Sequence, residues 1–457
     1  MTAPSRPPKR RGPRPDPARR AAYDVLSAVR EKDSYANLVL PGLLRERRMS
    51  GRDAAFATEL AYGTLRAQGT LDAILADCVD RPLDTLDGAV RDLLRLGAYQ
   101  LLRTRVPAHA AVSATVDLAR TVTSTGPAKL VNAVLRKVGV RDAAAWLDVV
   151  TPPYETDPIG SLAMRHGHPR WIAQAFCDSL DGDLEQTGSA LAADDLRPQV
   201  HLAARPGQIT RAELVADSGG EPGPWSAQAV RLDGGDPSAV AAVRDGRAQV
   251  QDEGSQLVAL ALAGVPIVGP DARWLDLCAG PGGKAALLGG LAGPRRAAVT
   301  AVEPREHRAA LVAKAVTGLP VEVRVADGRE IDGAYDRVLV DAPCTGLGAL
   351  RRRPDARWRR QPADVPALTR LQRELLTAAL RVTRPGGVVA YAVCSPHVAE
   401  TRVVVDDMVR REGAVLLDAR AAMPGVADIG AGPWVQLWPH RHGTDAMFLA
   451  LLTPSSA

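Results

Sequence analysis

The sequence predicts an all-α N-terminal domain, then a small α+β subdomain, then an α/β domain of Rossmann-like, doubly wound type. In residues 18–140, apolar side chains recur at helical spacing and no segment has strand character. From about residue 255, short apolar runs alternate with helical segments, which is the pattern of βαβ units around a parallel sheet. The signals between these two regions are weaker and mixed.

The N-terminal region is expected to contain five to seven helices. Segments such as ARRAAYDVLSAVREK and LDGAVRDLLRLGAYQLL carry their apolar residues on one helical face. Residues 141–160, which include TPPYETDP, interrupt this pattern and predict a linker. In residues 161–250, HPRWIAQAFCDSL predicts a helix, and PQVHLAA and AQAVRL predict strands on either side of the helix TRAELVADSG.

The last region, residues 251–457, contains five strand-like segments separated by helices. They are RWLDLC, AAVTAVE, VEVRVAD, YDRVLVD and GVVAYAVC. The final segments WVQLWP and DAMFLALL predict an antiparallel hairpin at the end of the chain.

Composition and cysteine usage are those of an ordinary globular protein of a reducing compartment. Hydrophobic residues make up 46% and charged residues 24% of the chain. No run of 18 apolar residues is present, so no membrane-spanning helix is predicted. Five cysteines without a CxxC pair argue against a disulfide framework and a zinc site, and favour the cytoplasm. His440 and His442 have no third ligand nearby, so no metal site is predicted.

The positive charge is concentrated at the N-terminus. Residues 1–20 hold seven Lys and Arg and one Asp, so the rest of the chain is nearly neutral although the net charge is +5. The proline-rich segment 1–17 is expected to be disordered. It could act as a nucleic-acid-binding arm, or it could be a solubilising terminus, and the sequence does not distinguish the two.

A glycine-rich turn and four acids predict a cofactor site. DLCAGPGGKAA (276–286) follows the first strand and opens a helix, where doubly wound sheets bind ligands, but it is neither GxGxxG nor a P-loop. The first four strands each end in an acid: Asp276, Glu303, Asp327 and Asp341. Acids suit ribose hydroxyls, an adenine amine and a sulfonium, so they favour S-adenosylmethionine over a phosphate-bearing cofactor. The candidate cofactor-binding residues are Cys278, Ala279, Gly280, Pro281, Gly282, Gly283, Lys284, Glu303, Asp327 and Asp341.

Two cysteines are placed where chemistry is expected. Cys344 and Cys394 follow the fourth and fifth strands, whose ends are neighbours in such a sheet, whereas Cys78, Cys177 and Cys278 are expected to pack as small apolar residues. Carbon 5 of a pyrimidine accepts a methyl group only after a nucleophile adds to carbon 6. A thiolate suits this step because it attacks well near neutral pH and can leave again.

DLCAGPGGK, DAPCTGLG and AVCSPHVAET together resemble the RNA cytosine-5 methyltransferases. The resemblance implies that Cys394 is the attacking nucleophile and that Cys344 assists release of the product. It implies that Asp341 holds the N3 edge of cytosine as a neutral acid beside the methyl donor. It also places Lys284 at the active site in support of the base.

The segment RRRPDARWRR is similar to an arginine-rich motif of the same family. It nominates Arg351, Arg352, Arg357 and Trp358 as RNA contacts, since arginine and an aromatic ring suit an unstacked strand. The alternative is a solvated basic loop without a binding role.

The helical region adds a second resemblance. PAHAAVSATVDLAR and LVNAVLRKV are similar to the NusB-type RNA-binding domain found in the Sun/Fmu family of bacterial 16S rRNA methyltransferases, and the likeness extends over nearly all of 18–453. One departure is the stretch LAAR at 202–205, where the family has LRVN. The resemblance implies a monomer that acts on 16S rRNA or a small-subunit particle. Methylation of tRNA, a non-enzymatic NusB-like RNA-binding factor, and a thiol redox switch remain the alternatives.

Overall fold

The computed structural model describes residues 15–32 and 34–455. The chain divides into two compact units. The helical unit runs up to Arg170 and includes Arg353–Asp355, and the larger unit comprises Trp171–Arg352 and the described residues from Ala356. The predicted disordered tail, residues 1–17, lies outside the described residues except for its last three positions. Among the described helices, none has the length and apolar character needed to cross a bilayer.

The helical unit contains no strand within its described residues. Its helices are α1 Pro17–Glu31, α2 Ala36–Glu46, α3 Gly51–Arg66, α4 Gln68–Cys78, α5 Gly88–Arg103, α6 Ala108–Val122, α7 Thr125–Val138, α8 Ala143–Val150 and α9 Pro158–Arg165. Helix α1 begins where Asp16 caps the amide of Arg19 and Pro17 supplies a helical φ angle. Helix α5 lies at the centre of this unit and contacts α1, α3, α4, α6 and α7. These contacts fully bury its side chains Leu93, Leu94 and Leu96.

The segment 141–160 differs from the predicted linker, because helix α8 and the start of α9 lie in it. Asp142 caps α8, and Trp146 is buried in the core of the helical unit with its indole N–H donating to the Val138 carbonyl at 2.8 Å. A helix of eight residues is too short to show a clear period in the sequence, so only its packing reveals it.

The larger unit begins with a small α+β region, as predicted. It consists of α10 Arg170–Ser179, α11 Leu184–Asp194, β1 Val200–Ala204, α12 Arg211–Ser218, β2 Glu221–Pro222, β3 Ala229–Leu232, α13 Ala241–Arg244 and β4 Ala248–Val250. The four strands form an antiparallel sheet in the order β2-β3-β1-β4. Its buried face carries Leu202, Leu214 and Val230.

The remainder of the larger unit is an α/β fold around a mixed sheet. Its elements are α14 Glu253–Gly264, β5 Arg273–Asp276, α15 Gly283–Ala292, β6 Ala298–Val302, α16 Glu306–Ala315, β7 Val321–Arg324, β8 Tyr335–Asp341, α17 Ala356–Arg359, α18 Val365–Val382, β9 Thr383–Val393, α19 Arg402–Glu412, β10 Val415–Leu417, β11 Val435–Gln436, α20 Pro439–His442 and β12 Phe448–Thr453. The strand order is β10-β12-β9-β8-β5-β6-β7, and β11 pairs with β12.

The central strands of this sheet are parallel, and the last hairpin is antiparallel. Strands β9, β8, β5, β6 and β7 run in one direction, whereas β12 pairs antiparallel with β9, β10 and β11. The predicted terminal hairpin is therefore present, with Val435 opposite Leu449. The order places β8, β5, β6 and β7 side by side, so their carboxyl ends share one edge.

Both faces of the sheet are covered, which explains why the central strands are almost entirely apolar. Alternate residues of β8 and β9 enter two different cores: Leu339 and Ala390 lie in one, and Val340 and Tyr391 lie in the other. Strand β8 is buried from Tyr335 to Val340.

One charged side chain of β8, Arg337, is buried at the opposite end of the sheet. Its guanidinium forms a bidentate pair with Asp271 at 2.8 and 2.9 Å and donates to the carbonyls of Leu262 and Val265. Arg337 thereby joins the end of α14 and the loop before β5 to the central strand.

We predict that Arg337→Ala lowers the free energy of unfolding by about 3 kcal/mol, because the carbonyls and Asp271 lose their buried partner. Urea denaturation followed by tryptophan fluorescence measures this change. Arg420→Ala is the matched control, since Arg420 pairs with Asp418 at the surface, where water screens the pair, and its loss should leave the free energy of unfolding nearly unchanged. Equal effects of the two substitutions would contradict the role given to Arg337.

Candidate functional site

Four acids lie along one edge of the sheet, at the carboxyl ends of adjacent strands. Asp276 ends β5, Glu303 directly follows β6, Asp327 follows β7, and Asp341 ends β8. The strand order β8-β5-β6-β7 brings the four positions into one row, as the sequence predicted. The glycine-rich turn joins β5 to α15 at the same edge.

The glycine-rich turn packs closely against the neighbouring strand. The amide of Ala279 donates to the Val302 carbonyl at 2.9 Å. A Cβ at Gly280 would overlap the carboxylate of Glu303, and Gly282 adopts a φ of +112° where a Cβ would lie 2.7 Å from Ala315. Glycine is therefore required at both positions by the close approach of protein groups. The other predicted residues of this turn, Cys278, Pro281 and Gly283, continue the same loop into α15.

Cys278 lies beside the acids, but its thiol does not ionise readily and is therefore a poor nucleophile. Burial and the neighbouring Asp276 raise the pKa of the Cys278 thiol well above its usual value. Its sulfur packs against the apolar core beside Leu277, in agreement with the prediction of a packing role.

Asp276 is a buried acid whose second oxygen lacks a partner. Its Oδ1 accepts from the Cys278 amide at 3.4 Å, whereas its Oδ2 has no hydrogen-bond partner among the described residues. Burial and the nearby Asp341 carboxylate raise the pKa of Asp276 to about 7, although Lys284 opposes the shift. An unpaired buried acceptor at this edge suits a cationic ligand that brings N–H donors, as S-adenosylmethionine does.

Glu303 and Asp327 are each held by an arginine of the following segment. Glu303 is buried, lies 3.5 Å from Arg308 Nε, and accepts from the Arg305 amide at 3.1 Å. Asp327 accepts three hydrogen bonds from Arg329, at 3.0, 3.0 and 2.6 Å, and these bonds lower the pKa of Asp327. Both carboxylates are thus held in place by contacts within the protein.

Lys284 and Asp341 form an ion pair at the centre of the site, with Nζ and Oδ2 2.7 Å apart. Burial lowers the pKa of Lys284, but the Asp341 carboxylate and Cys394 outweigh burial, so the pKa lies above its usual value. Asp341 accepts from the Lys284 ammonium in this arrangement, and the expectation that Asp341 acts on a bound cytosine as a neutral acid stays a prediction. Lys284 is the proton donor of the pair.

Cys344 and Cys394 face each other, as the predicted strand order requires. Their Sγ atoms are 3.5 Å apart. Strands β8 and β9 are paired in parallel up to Asp341 and Ala392, and the Gly348 amide donates to the Cys394 carbonyl at 2.9 Å. The hydrogen bond to Cys394 and burial raise the pKa of Cys344 well above its usual value. Either sulfur can be the donor of the hydrogen bond between them.

Glu400 is a site residue that the sequence analysis did not identify. It is fully buried and contacts both cysteine loops. Its Oε1 accepts from the Thr345 amide at 2.8 Å, and its Oε2 accepts from the hydroxyls of Ser395, at 2.7 Å, and Thr345, at 2.5 Å. Gln372 donates to the same carboxylate at 3.1 Å. The sequence contains one pattern that could have identified Glu400. It is an acid six residues after Cys394, together with a hydroxyl residue directly after each of the two cysteines.

Three arginines that were predicted to bind RNA are instead part of the protein interior. Arg357 has no exposed side-chain area and donates to Asp195 Oδ1 at 3.0 Å and to the Asp194 carbonyl at 2.9 Å. Arg352 bridges Asp252 and Asp445, and these carboxylates hold its pKa above the ordinary value against burial.

Arg351 is also buried and donates to the Gly443 carbonyl at 2.9 Å. The prediction of RNA contacts is therefore wrong for Arg352 and Arg357, because carboxylates and a carbonyl of the protein engage their guanidinium groups. For Arg351, whose Nε lacks a hydrogen-bond partner among the described residues, it stays a prediction. Trp358, the fourth residue of that prediction, is half-buried.

The raised pKa of Asp276 predicts a pH-dependent stability. The unfolded aspartate ionises near pH 4, whereas the folded one keeps its proton until about pH 7, so ionisation of the unfolded state lowers stability as pH rises between these values. We predict that Asp276→Asn gains stability relative to the wild type by about 1.4 kcal/mol per pH unit between pH 5 and 7. Urea denaturation at several pH values measures the difference.

Asp418→Asn serves as the control for this experiment. Asp418 lies at the surface, and its hydrogen bond with Arg420 lowers its pKa, so its stabilising effect is lost only in acid. A difference between the wild type and Asp276→Asn that does not change from pH 5 to pH 8 would contradict the assignment.

Comparisons with known proteins agree with this architecture. Residues 267–453 match the family model described as 16S rRNA methyltransferase RsmB/F, and residues 16–139 match the NusB family. A solved chain described as "Crystal Structure of PH0851" matches with a TM-score of 0.77 and 21% identity over 96% of this chain and 99% of its own, which shows the shared fold.

Two curated relatives match over nearly their whole length. "Putative methyltransferase MT1451" of Mycobacterium tuberculosis (strain CDC 1551 / Oshkosh) is 59% identical over 97% of this chain and 99% of its own. "Ribosomal RNA small subunit methyltransferase B" of Pseudomonas syringae pv. tomato is 34% identical over 96% of this chain and 97% of its own. The chain therefore belongs to the RsmB/F family of RNA methyltransferases and carries a NusB-like N-terminal region.

Proposed function

We propose that this protein transfers a methyl group from S-adenosylmethionine to carbon 5 of a cytosine in 16S rRNA, through a covalent adduct with Cys394. The observation that carries the proposal is the pair of thiols 3.5 Å apart beside the Lys284–Asp341 ion pair. A methyl transfer to nitrogen or oxygen would need no thiol, whereas carbon 5 must first be activated by addition at carbon 6.

The cofactor would be held by the glycine-rich turn and the acids of the sheet edge. Asp276 has a free buried acceptor for it, and Glu303 and Asp327 are oriented for its hydroxyl and amine groups. When bound, S-adenosylmethionine supplies the electrophilic methyl group. Residues 278–284 would form the loop around the cofactor, and Asp341, at the end of β8, would lie beside it.

Cys394 is the nucleophile in this proposal. Two thiols in contact cannot both ionise easily, and the one that donates the S–H keeps its proton. Cys344 is that donor, because the hydrogen bond to Cys394 and burial raise its pKa. Cys394 is thus the thiolate, and the positive charge of Lys284 stabilises it. The sulfur adds to carbon 6, and the ring electrons move to carbon 5.

Lys284 and Asp341 orient the base. The Lys284 ammonium can donate to N3 or O2 of cytosine and so neutralise the charge that builds on the ring during the attack. The Asp341 carboxylate holds Lys284 and can accept from the exocyclic amine. A base can reach these groups only when it is unpaired or flipped out of a helix.

Cys344 serves the release step. Once Cys394 is bonded to carbon 6, it carries no negative charge, so the main cause of the raised pKa of Cys344 is removed. After loss of its own proton to solvent, Cys344 can take the proton from carbon 5 while the bond between Cys394 and carbon 6 breaks. Product and both sulfurs then return to their starting states.

The choice of RNA rests on the relatives. Curated relatives along nearly the whole chain are named as small-subunit ribosomal RNA methyltransferases, which favours 16S rRNA over tRNA. We further propose that residues 18–140 act as a NusB-like RNA-binding domain, residues 161–250 as an RNA-binding subdomain and residues 251–457 as the methyltransferase domain. The enzyme would work as a monomer in the cytoplasm.

The cysteine roles are tested by incubating the wild type, Cys394→Ala and Cys344→Ala with labelled cofactor and unmodified 16S rRNA. We expect Cys394→Ala to be inactive and Cys344→Ala to accumulate a protein–RNA adduct that survives a denaturing gel. An adduct with Cys394→Ala would reverse the roles. Methylation of tRNA in a parallel reaction, with 16S rRNA unmodified, would refute the proposed substrate.

Glu400 is expected to position the two thiols. Glu400→Ala should lower kcat about 100-fold, because loops that shift by about 1 Å lose the attack geometry. Glu400→Gln should recover most of this activity, since the hydroxyls of Thr345 and Ser395 can rotate to accept from an amide.

The exposed Glu412→Ala is the control for Glu400 and should behave like the wild type. The rate of alkylation of Cys394 by iodoacetamide, measured from pH 6 to 9, separates positioning from unfolding. An unchanged pH profile in Glu400→Ala would refute the positioning role.

A further inference from the structure

Arg205 is a buried cation without a carboxylate partner. It follows β1 in the small α+β region, and only 7% of its surface is exposed. No Asp or Glu among the described residues pairs with it. Its single side-chain hydrogen bond runs from Nη2 to Gln249 Oε1 at 3.3 Å, and its Nε is enclosed without a partner. Burial lowers the pKa of Arg205, and no acid offsets this effect.

Three other arginines of the larger unit differ in this respect: Arg337 pairs with Asp271, the partly buried Arg352 with Asp252 and Asp445, and Arg357 with Asp195. Arg351 is also buried without an ion pair among the described residues, but it donates to the Gly443 carbonyl at 2.9 Å and interacts electrostatically with Asp445. A buried guanidinium without such a partner is unfavourable for folding, and it becomes favourable when an anion binds to its free donors. Arg205 thus has the properties of a ligand-binding residue.

The neighbours of Arg205 connect it to the active site. Gln249, which accepts from Arg205, donates to the Gly283 carbonyl at 2.7 Å and to Gln251 Oε1 at 2.8 Å. Lys284, which pairs with Asp341, is the next residue after Gly283. Pro206 also packs on α15, where a Cβ at Gly290 would lie 2.9 Å from it. The guanidinium is therefore held beside the first turn of α15.

We propose that Arg205 binds a backbone phosphate of the RNA next to the base in the active site. This inference rests on the proposed function, because it requires that the substrate is RNA. A planar guanidinium with free N–H groups suits an oxyanion, and phosphodiesters are the anions that an RNA strand presents at regular intervals. The cofactor carboxylate shares this chemistry, but the acids for the cofactor lie on the edge of the other sheet.

The test uses the full-length protein without cofactor and measures RNA binding by filter retention at several salt concentrations. Transcribed 16S rRNA and tRNA are the two probes. Arg205→Gln should weaken binding about tenfold at low salt and reduce the slope of log Kd against log salt by about 0.7, which corresponds to one lost phosphate contact.

Arg244→Gln is the matched control. Arg244 lies exposed in the same subdomain, so its substitution removes the same charge without removing the proposed contact. It should leave the slope and the affinity close to those of the wild type. An equal effect of both substitutions would show a general charge effect and would overturn the proposal.

The thermal stability of a variant without the Arg205 charge distinguishes a ligand-binding arginine from one that stabilises the fold. Arg205→Met should leave the Tm unchanged or raise it, because it removes an unpaired buried charge. A fall of the Tm by several degrees would make Arg205 a structural residue and would overturn the proposal. Calorimetric titration with S-adenosylmethionine completes the test, because a loss of cofactor affinity with RNA affinity unchanged would assign the anion to the cofactor.

The binding assay needs no methyl transfer, so its result is independent of the proposed reaction. Absent methylation of either RNA would refute the proposed function and leave the salt slopes interpretable. Unchanged slopes in Arg205→Gln would refute the phosphate contact and leave the cysteine experiment intact.

Discussion

The buried carboxylate of Glu400 is the interaction on which the arrangement of the two cysteines depends. Strands β8 and β9 are neighbours in the sheet, but each cysteine lies beyond its strand, where backbone pairing no longer fixes the chain. Glu400 binds the residue that follows each cysteine and so fixes both loops at one point. Since the group is fully buried, its hydrogen bonds do not compete with water and hold the loops rigidly.

The site contains one lysine, Lys284, and several acids, and the position of this lysine determines which acid has a cationic partner. Lys284 pairs with Asp341 and lies near Cys394, and Glu303 has Arg308. Asp276 is left without a cation of its own, so burial keeps its proton on until about pH 7. The Asp276 carboxyl, whose Oδ2 has no hydrogen-bond partner among the described residues, leaves room for one added positive charge at the sheet edge, and Lys284 lies where it would stabilise the thiolate proposed at Cys394. A sulfonium cofactor would supply such a positive charge.

Arginine has two different uses in this chain, and local sequence does not separate them. Arg351, Arg352 and Arg357 lie in a basic segment that resembles an RNA-binding motif, yet each of the three donates to a carboxylate or carbonyl of the protein. Arg205 directly follows strand β1, and its guanidinium donates only to the side-chain amide of Gln249, with no carboxylate partner among the described residues. The difference depends on which carboxylates and carbonyls the fold brings near each guanidinium, and these come from residues up to about 160 positions away.

The sequence by itself determined the order of the domains, the helical and α/β character of each, the row of acids and the adjacency of Cys344 and Cys394. These features follow from local periodicity and from the rule that parallel strands share an edge. Only the tertiary structure decided the contact of Lys284 with Asp341, the helix in the expected linker, the hydrogen bonds of Glu400 and the protein contacts of the arginines. The partners and the burial of a charged side chain depend on residues far away in the sequence. The sequence alone does not give the distances between such residues in the folded protein.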